Sequence, residues 1–268
     1  MTYVPVVPQT GLLGWNFLSR SLDVQQKNFN ESGVVSREVA AFRERISDIR
    51  TAEDLVNDRE LLSVSLTAFG LEEDIDNRFF IKKILSDGSL SPDALANKFS
   101  DSRYLALTKA FGFGDFDTPR TQLSYFPDEI ISAYTERSFE IAVGEQDEDM
   151  RMALSLSREV SAVISSGGSD DTQWYKVLGN APLKLMFEEA LFLPSEFGSV
   201  AIDKQVDILK DATQSIFGKS SFDVFHDTDN IDKLRTRFLL ASQMNNQQPV
   251  VGASAALSLL QNRISFQF

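Results

Sequence analysis

Cysteine is missing from the sequence altogether, histidine occurs once, and basic side chains are outnumbered by acidic ones, 26 to 39. Without cysteine, disulfides, thiolate nucleophiles, zinc–thiolate sites and iron–sulfur clusters are excluded, and the chain is indifferent to the redox state of its compartment. The formal net charge of −13 opposes nucleic-acid binding, which relies on clustered Lys and Arg. Residues 1–50 hold six basic and five acidic side chains, so the acid excess lies beyond them. No apolar run approaches the ~18 residues of a membrane-spanning helix. The start, "MTYVPVVPQTGLLGWNFLSR", lacks the basic n-region and apolar h-region of a secretory signal. Its first 19 side chains are uncharged and include two prolines, which reads as a flexible or extended arm.

Recognisable chemistry is equally sparse. His226, in "DVFHDTDNID", sits in an acidic loop and reads as a solvated surface group. The same stretch superficially suggests a calcium loop. That pattern needs a ligand at Ile231, glycine at Asp232 and glutamate at Phe238, and all three fail, so Asp229 or Asn230 is expected to cap a helix instead. "FGFGDFD" at 111–117 lacks the lysine of a phosphate loop and reads as a turn. No G-x-S-x-G occurs. Acid clusters such as Glu72-Glu73-Asp74 and Asp147-Glu148-Asp149 fall at helix ends as solvated charge. Neither catalytic residues, a cofactor nor a metal is expected.

What is present is helical punctuation. Trp15, Leu18, Leu22 and Phe29 mark a first helix whose stripe Gln25 interrupts. Val35, Val39, Phe42, Ile46 and Ile49 follow in 4-3-4-3 steps as a second. Thr51 with Asp54 resembles a capping box, and Asp58 caps "RELLSVSLTAF", which Gly70 stops. "IDNRFFIKKILSDG" closes at Gly88. Ser91 with Pro92 signals a start for "SPDALANKF", and "DSRYLALTKAFG" ends at Gly112. Two longer helices are expected at 127–143 and 146–164, the second with Met150, Leu154, Val160 and Ile164 near one face. "SSGGSDD" at 165–171 reads as a flexible connector. Asn180 and Pro182 open a helix that stops before Pro194, and further helices are expected near 200–212 and 230–243. A short C-terminal helix, "ASAALSLLQNR", follows a polar break. No period-2 strand run appears before the apolar tip "ISFQF", so the expected class is all-α and multihelical.

Ala68-Phe69-Gly70-Leu71 returns as Ala110-Phe111-Gly112-Phe113 and, more loosely, as Ala190-Leu191-Phe192-Leu193. Asp58 then falls opposite Asn180, Leu61 opposite Leu183, and "DALANKF" at 93–99 opposite "DKLRTRF" at 232–238. This order suggests an internal duplication of two related helical units joined by two longer helices. The expected segments are an N-terminal arm with helices (1–50), a first unit (51–125), connecting helices and loop (126–171), a second unit (172–243), and a linker with a C-terminal helix (244–268).

The run from Thr51 to Gly114 resembles a bacterial family of unknown function, largely alphaproteobacterial and often encoded beside flagellar genes. Asp58, Arg59, Leu61, Ala68, Phe69, Gly70 and Leu71 match its first motif, with Ser65 in place of a more usual alanine. Ala96, Asn97, Lys98, Phe99, Asp101, Arg103 and Tyr104 match its second. "VLGNAPLKLMFEEALFLPSE" and "IDKQVDILK" resemble its C-terminal portion, with Phe192 where glycine is usual, which puts the turn after Leu191 in question. The resemblance covers about residues 12–243. It implies a multihelical fold without established catalytic residues and a role, not enzymatic, in flagellar assembly or motility through a protein partner. Two versions stay open: a protein exported to the flagellum, or a cytoplasmic adaptor or export chaperone that binds an amphipathic helix. An enzyme with an unrecognised site is a third, weaker reading. Candidate partner-binding residues are Trp15, Phe17, Leu18, Leu22, Leu257 and Leu260, on the apolar terminal helices. Sequence leaves the oligomeric state open.

Overall fold

Gln25 interrupts the apolar stripe of α1 (Gly11–Asn30), yet it is buried, and what it holds explains why. Its Oε1 accepts the Val6 N–H at 2.6 Å, while its Nε2 donates to the Val6 carbonyl at 3.1 Å and to Ser21 Oγ at 2.8 Å. Gln146 Nε2 donates to the Pro5 carbonyl at 2.7 Å. The arm expected to be flexible or extended is thus tied by its main chain to two glutamines, which satisfies backbone groups that no helix or sheet supplies with partners.

The computed structural model describes residues 3–99 and 101–246. Among these residues there are α-helices and 3₁₀ turns and no strand, so the chain is all-α and multihelical, as its punctuation predicts. It divides into two units, one of residues up to Pro8 with Gly14–Ser155, the other of Gln9–Leu13 with the chain from Leu156 onward.

In the first unit, α2 (Val35–Arg45) leads through a 3₁₀ turn to α3 (Ala52–Asn57). Thr51 and Asp54 exchange both hydrogen bonds of a capping box at the start of α3. Asp58 caps α4 (Arg59–Phe69) by accepting from the N–H groups of Glu60 and Leu61. Beyond it come α5 (Arg78–Asp87), α6 (Leu95–Lys98), α7 (Ser102–Phe111) and α8 (Phe126–Gly144), then α9 (Glu148–Ser165), of which residues up to Ser155 belong to this unit and the rest to the second. The core forms where α4 packs along α8 and α2. Edge-on aromatic pairs fill it, with Phe29 5.6 Å from Phe139 and Phe111 5.0 Å from Phe126.

Two local expectations need correction. Ser91-Pro92 opens a turn rather than a helix: the Ala94 N–H bonds the Ser91 carbonyl at 3.0 Å, and α6 starts only at Leu95. A proline preset for a first helical position also suits the second place of a turn, and Asn97 fixes that choice by donating to the Ser89 and Ser91 carbonyls. On α9 the buried side chains are Met150, Met152, Ala153, Leu156, Val160 and Val163, while Leu154 and Ile164 are only half-buried.

The second unit contains α10 (Asp170–Gly179), α11 (Ala181–Ala190), α12 (Ile202–Phe217) and α13 (Thr228–Asn246). The connector expected at 165–171 ends early, because Ser169 caps α10 and Lys176 Nζ reaches back to Ser166 Oγ and the Gly167 carbonyl. Trp174 is fully buried in an aromatic box, 5.0 Å from Phe222 and 5.7 Å from Phe187, both edge-on. α11 packs along α13, and Asn180 caps α11 by accepting from Leu183 N–H.

The order helix, one-residue capping joint, helix, 3₁₀ turn, helix, short helical turn, helix runs over 52–111 and again over 170–246. The residue register paired late in the sequence comparison does not follow that order. "DALANKF" forms the turn and α6, whereas "DKLRTRF" lies inside α13, and the turn at the place of α6 is Phe222–His226.

Candidate functional site

The first family motif ends where α4 ends. Gly70 takes the left-handed conformation (φ 71°), its N–H bonds the Thr67 carbonyl, and the Leu71 N–H bonds the Leu66 carbonyl, the paired bonds of a Schellman motif. The second motif closes round this turn. Asp101 caps α7, Arg103 bonds both Asp101 and the Gly70 carbonyl, and Tyr104 donates to Asp74 Oδ2 at 2.6 Å. Burial, then the Asp74 hydrogen bond, pushes the Tyr104 phenol up to about 12. Phe80 meets Phe99 and Tyr104 edge-on, and Phe99 and Tyr104 lie tilted, with centroids 5.3–5.6 Å apart. The motif residues are therefore accounted for as architecture.

The end of α11 repeats the same bonds with a different residue. The Phe192 N–H bonds the Glu189 carbonyl and the Leu193 N–H bonds the Glu188 carbonyl, with Phe192 standing where Gly70 stands. Phe192 adopts φ 53°, and no other non-glycine among the described residues has a positive φ. For an L-residue this conformation costs roughly 1–2 kcal/mol. Arg237, on α13, holds the turn: its Nε donates to the Ala190 carbonyl at 2.7 Å, and its guanidinium carbon lies 5.2 Å from the Phe192 ring centroid. The turn questioned at the sequence level is formed, with an aromatic ring where glycine would leave nothing.

That ring stands at an open groove of about 480 Å³, walled by Leu185 and Glu188 on α11, Ser195 and Phe197 on the following 3₁₀ turn, and Ala241 on α13. Its wall is partly apolar and exposed, with Leu185 at 40% and Phe192 at 54%. Leu240 and Met244 on α13 are exposed as well, outside the groove's lining. The lining also carries charge: Lys184 pairs with Glu188 at 3.6 Å and lies 5.8 Å from the Phe197 centroid.

The sequence candidates among the described residues are not part of this groove. Leu18 is fully buried, Trp15 and Leu22 are half-buried, and Phe17 is exposed at 44%. Val24, two turns from Phe17 on the same face of α1, is exposed as well. Leu257 and Leu260 lie outside the described residues. His226 is exposed, 3.6 Å from Asp223. Asp227, rather than Asp229 or Asn230, caps α13, accepting from the Asp229 N–H at 3.0 Å. No group of three or more His, Asp or Glu able to hold a metal occurs among the described residues, and no helix there is long and apolar enough to cross a membrane.

Fold and groove together define a multihelical protein with an open groove of mixed polar and apolar lining in its second unit. The chain belongs to the family described as "Protein of unknown function (DUF1217)", whose profile matches residues 68–231. Protein AGR_C_984 from Agrobacterium tumefaciens, solved by X-ray crystallography, is similar in structure with a TM-score of 0.73 and 22% identity, over 91% of this chain and 99% of that one. At that identity the likeness speaks for the fold alone. No curated protein matches.

Proposed function

We propose that the chain is a non-enzymatic interaction protein that receives an apolar helix of a protein partner in the α11–α13 groove, in the service of flagellar assembly or motility. The observation that carries the reading is Phe192. A helix stop needs only glycine, as at Gly70 and Gly112, yet here an exposed ring is kept in a conformation that costs roughly 1–2 kcal/mol. Strain of that size, on an exposed ring that lines an open and partly apolar groove, is consistent with a contact made to something else. The flagellar setting rests on the resemblance to a family encoded near flagellar genes.

Between export and retention, the tether on the N-terminal arm favours retention as a cytoplasmic adaptor or export chaperone. An export signal has to be free, whereas Gln25 and Gln146 bond the main chain at Val6 and Pro5. Fusion of residues 1–35 to a reporter separates the two, since flagellum-dependent secretion of the reporter would restore the export version.

The test of the main reading is deletion of the gene in the bacterium that encodes it, complemented by the wild type or by Leu185→Asp. Swimming, hook–basal bodies and secreted proteins are scored. The wild type should restore what the deletion loses, and Leu185→Asp should not, although it folds. Normal motility in the deletion strain would defeat the flagellar setting, and full complementation by Leu185→Asp would defeat the groove.

A further inference from the structure

We infer that the exposed face of α1 pairs with the same face of a second copy of this chain, antiparallel about a two-fold axis beside residues 20 and 21. This face belongs to the first unit, and nothing about it depends on the α11–α13 groove.

Phe17 and Val24 stand two turns apart on one side of α1, and Val24 is exposed at 64%. The arm adds to the apolar surface there. Val6, whose main chain is fastened to the side chain of Gln25, next in sequence to Val24, is exposed, and so is Val4. Four exposed apolar side chains on one helix and the segment tied to it differ from the scattered single residues that a monomer's surface ordinarily shows.

The layout of the face points to its occupant. Round the helix, Phe17, Arg20 and Val24 fall within about 60° of one another, with Asp23 about 60° further on the Arg20 side. When a helix meets its own copy antiparallel, like flanks face each other and every contact is made twice, residue i to j and j to i. An axis beside residues 20 and 21 sets Phe17 opposite Val24 of the second copy, and Val24 opposite its Phe17, each about 5 Å along the helix from the axis. Arg20 falls within a turn of Asp23 of the second copy, and the reciprocal pair forms across the axis. Both side chains are exposed, and among the described residues neither has an ion-pair or hydrogen-bond partner. A parallel pairing would instead set Arg20 against Arg20 and Asp23 against Asp23, like charge on like.

Net charge favours the same occupant. Residues 1–50 hold six basic and five acidic side chains, so the acid excess behind the net −13 lies in the remainder. Two copies can meet at α1 without the repulsion that the remainder would impose, whereas an anionic lipid surface would meet that repulsion. Lys27 is already engaged, 4.0 Å from Glu31, which leaves no basic cluster on this face for lipid headgroups.

The test is sedimentation of the full chain from ~1 µM to ~1 mM, the span in which a small interface associates. The wild type should pass from monomer to dimer and stop there. Phe17→Asp should weaken the dimer at least about tenfold, because it sets a charge against Val24 in both halves of the interface. Arg20→Asp and Asp23→Arg should each weaken it about three- to tenfold. The double exchange restores the pairs at unchanged net charge, and its constant should return to within about threefold of the wild type. Every substituted side chain is exposed, so the fold should be kept, and the helical circular dichroism of each variant checks it. A wild type still monomeric at ~1 mM, growth beyond a dimer, or a dimer indifferent to Phe17→Asp would each overturn the inference. A double exchange no better than its parents would overturn it equally, since reciprocal contact between two copies is what lets one exchange repair the other.

Discussion

Arg237 lies against the ring of Phe192, 5.2 Å from guanidinium carbon to ring centroid, while its Nε bonds the carbonyl of Ala190 two residues earlier. One side chain on α13 therefore holds both the helix end and the aromatic group that departs from it. The left-handed turn at Phe192 costs roughly 1–2 kcal/mol and the cation–ring contact returns about 0.5–1 kcal/mol. Phe192→Gly relieves the first, forfeits the second and adds up to ~1 kcal/mol of unfolded-state entropy. The expected outcome is a chemical-denaturation stability within about 1 kcal/mol of the wild type, although an aromatic ring has been removed. A loss of 3 kcal/mol or so, of the kind that core aromatics give, would show that the ring is part of the fold and not a displayed contact.

Glycine at the equivalent turn of α4 is under a different constraint. A Cβ on Gly70 (φ 71°) would come within 2.6 Å of Arg137 Nη1. Gly70→Ala is expected to cost about 1–2 kcal/mol for the backbone alone, with the displacement of Arg137 added. Gly114→Ala should be worse, because its Cβ would fall 2.4 Å from the Gly88 nitrogen and 2.5 Å from the Ser86 carbonyl oxygen, both main-chain atoms. Denaturation midpoints in the order wild type, Gly70→Ala, Gly114→Ala check this, and a reversed order would count against the packing described.

Acid should weaken the first unit through Asp115. Burial pushes its carboxyl up, but hydrogen bonds from the Ser89 N–H (2.6 Å), Ser89 hydroxyl (2.7 Å) and Leu90 N–H (3.0 Å) outweigh it and hold the group below the usual carboxylate range. A folded-state pKa below the unfolded one means stability that is fully present above the unfolded value near ~3.9 and lost as pH falls through the folded one. Asp101, gripped by Arg103, and Asp170, bonded by Phe222 N–H and Lys210, are lowered likewise against burial. Stability measured against pH should fall below about pH 4. Asp115→Asn should flatten that fall, and an unchanged slope would remove Asp115 from the account.

Trp174 offers a core test in the second unit. It is enclosed by Phe187, Phe222 and Phe225, and its indole N–H finds no acceptor among the described residues. Trp174→Ala should cost about 3–5 kcal/mol through the cavity it leaves. Trp174→Phe loses volume but also removes a buried donor whose desolvation costs about 1–3 kcal/mol. It should therefore lose much less than Trp174→Ala in the same denaturation assay, and equal losses would refute the unpartnered N–H.

Most helix ends were legible because caps are local chemistry. The Thr51–Asp54 box, the Asp58 and Asn180 caps and the Gly70 and Gly112 stops all depend on residues within a turn of one another. The start of α10 was equally local, a serine at 169 followed by two aspartates, but the neighbouring glycines masked it. What sequence could not give is which partner an apolar stripe meets. Leu18 and Phe17 read alike as candidates for a partner, yet one is fully buried and the other exposed. The groove was invisible for the same reason, since it exists only where α11, its following turn and α13 come together. Phe192 was visible as a departure from glycine; that the chain keeps the glycine-like shape is a backbone fact that side-chain identity does not encode.

Gln25 supplies the last prediction. Polar residues inside a helix stripe usually weaken packing, but this one satisfies the N–H and carbonyl of Val6 together and takes Ser21 as a further partner. Gln25→Leu keeps the volume and removes every one of those bonds, leaving part-buried main-chain groups to pair with water. The global fold should lose about 1–3 kcal/mol at most. The arm itself should be released, so that limited proteolysis cuts within residues 3–10 at a rate set by local opening instead of global unfolding. The reporter fusion of residues 1–35 then gains a companion: if the tether keeps this chain from export, the full-length Gln25→Leu protein should be secreted more readily than the wild type. Unchanged proteolysis of the arm would mean that Pro5 and its neighbours are held by packing alone, and the amide bonds would lose their role as the latch.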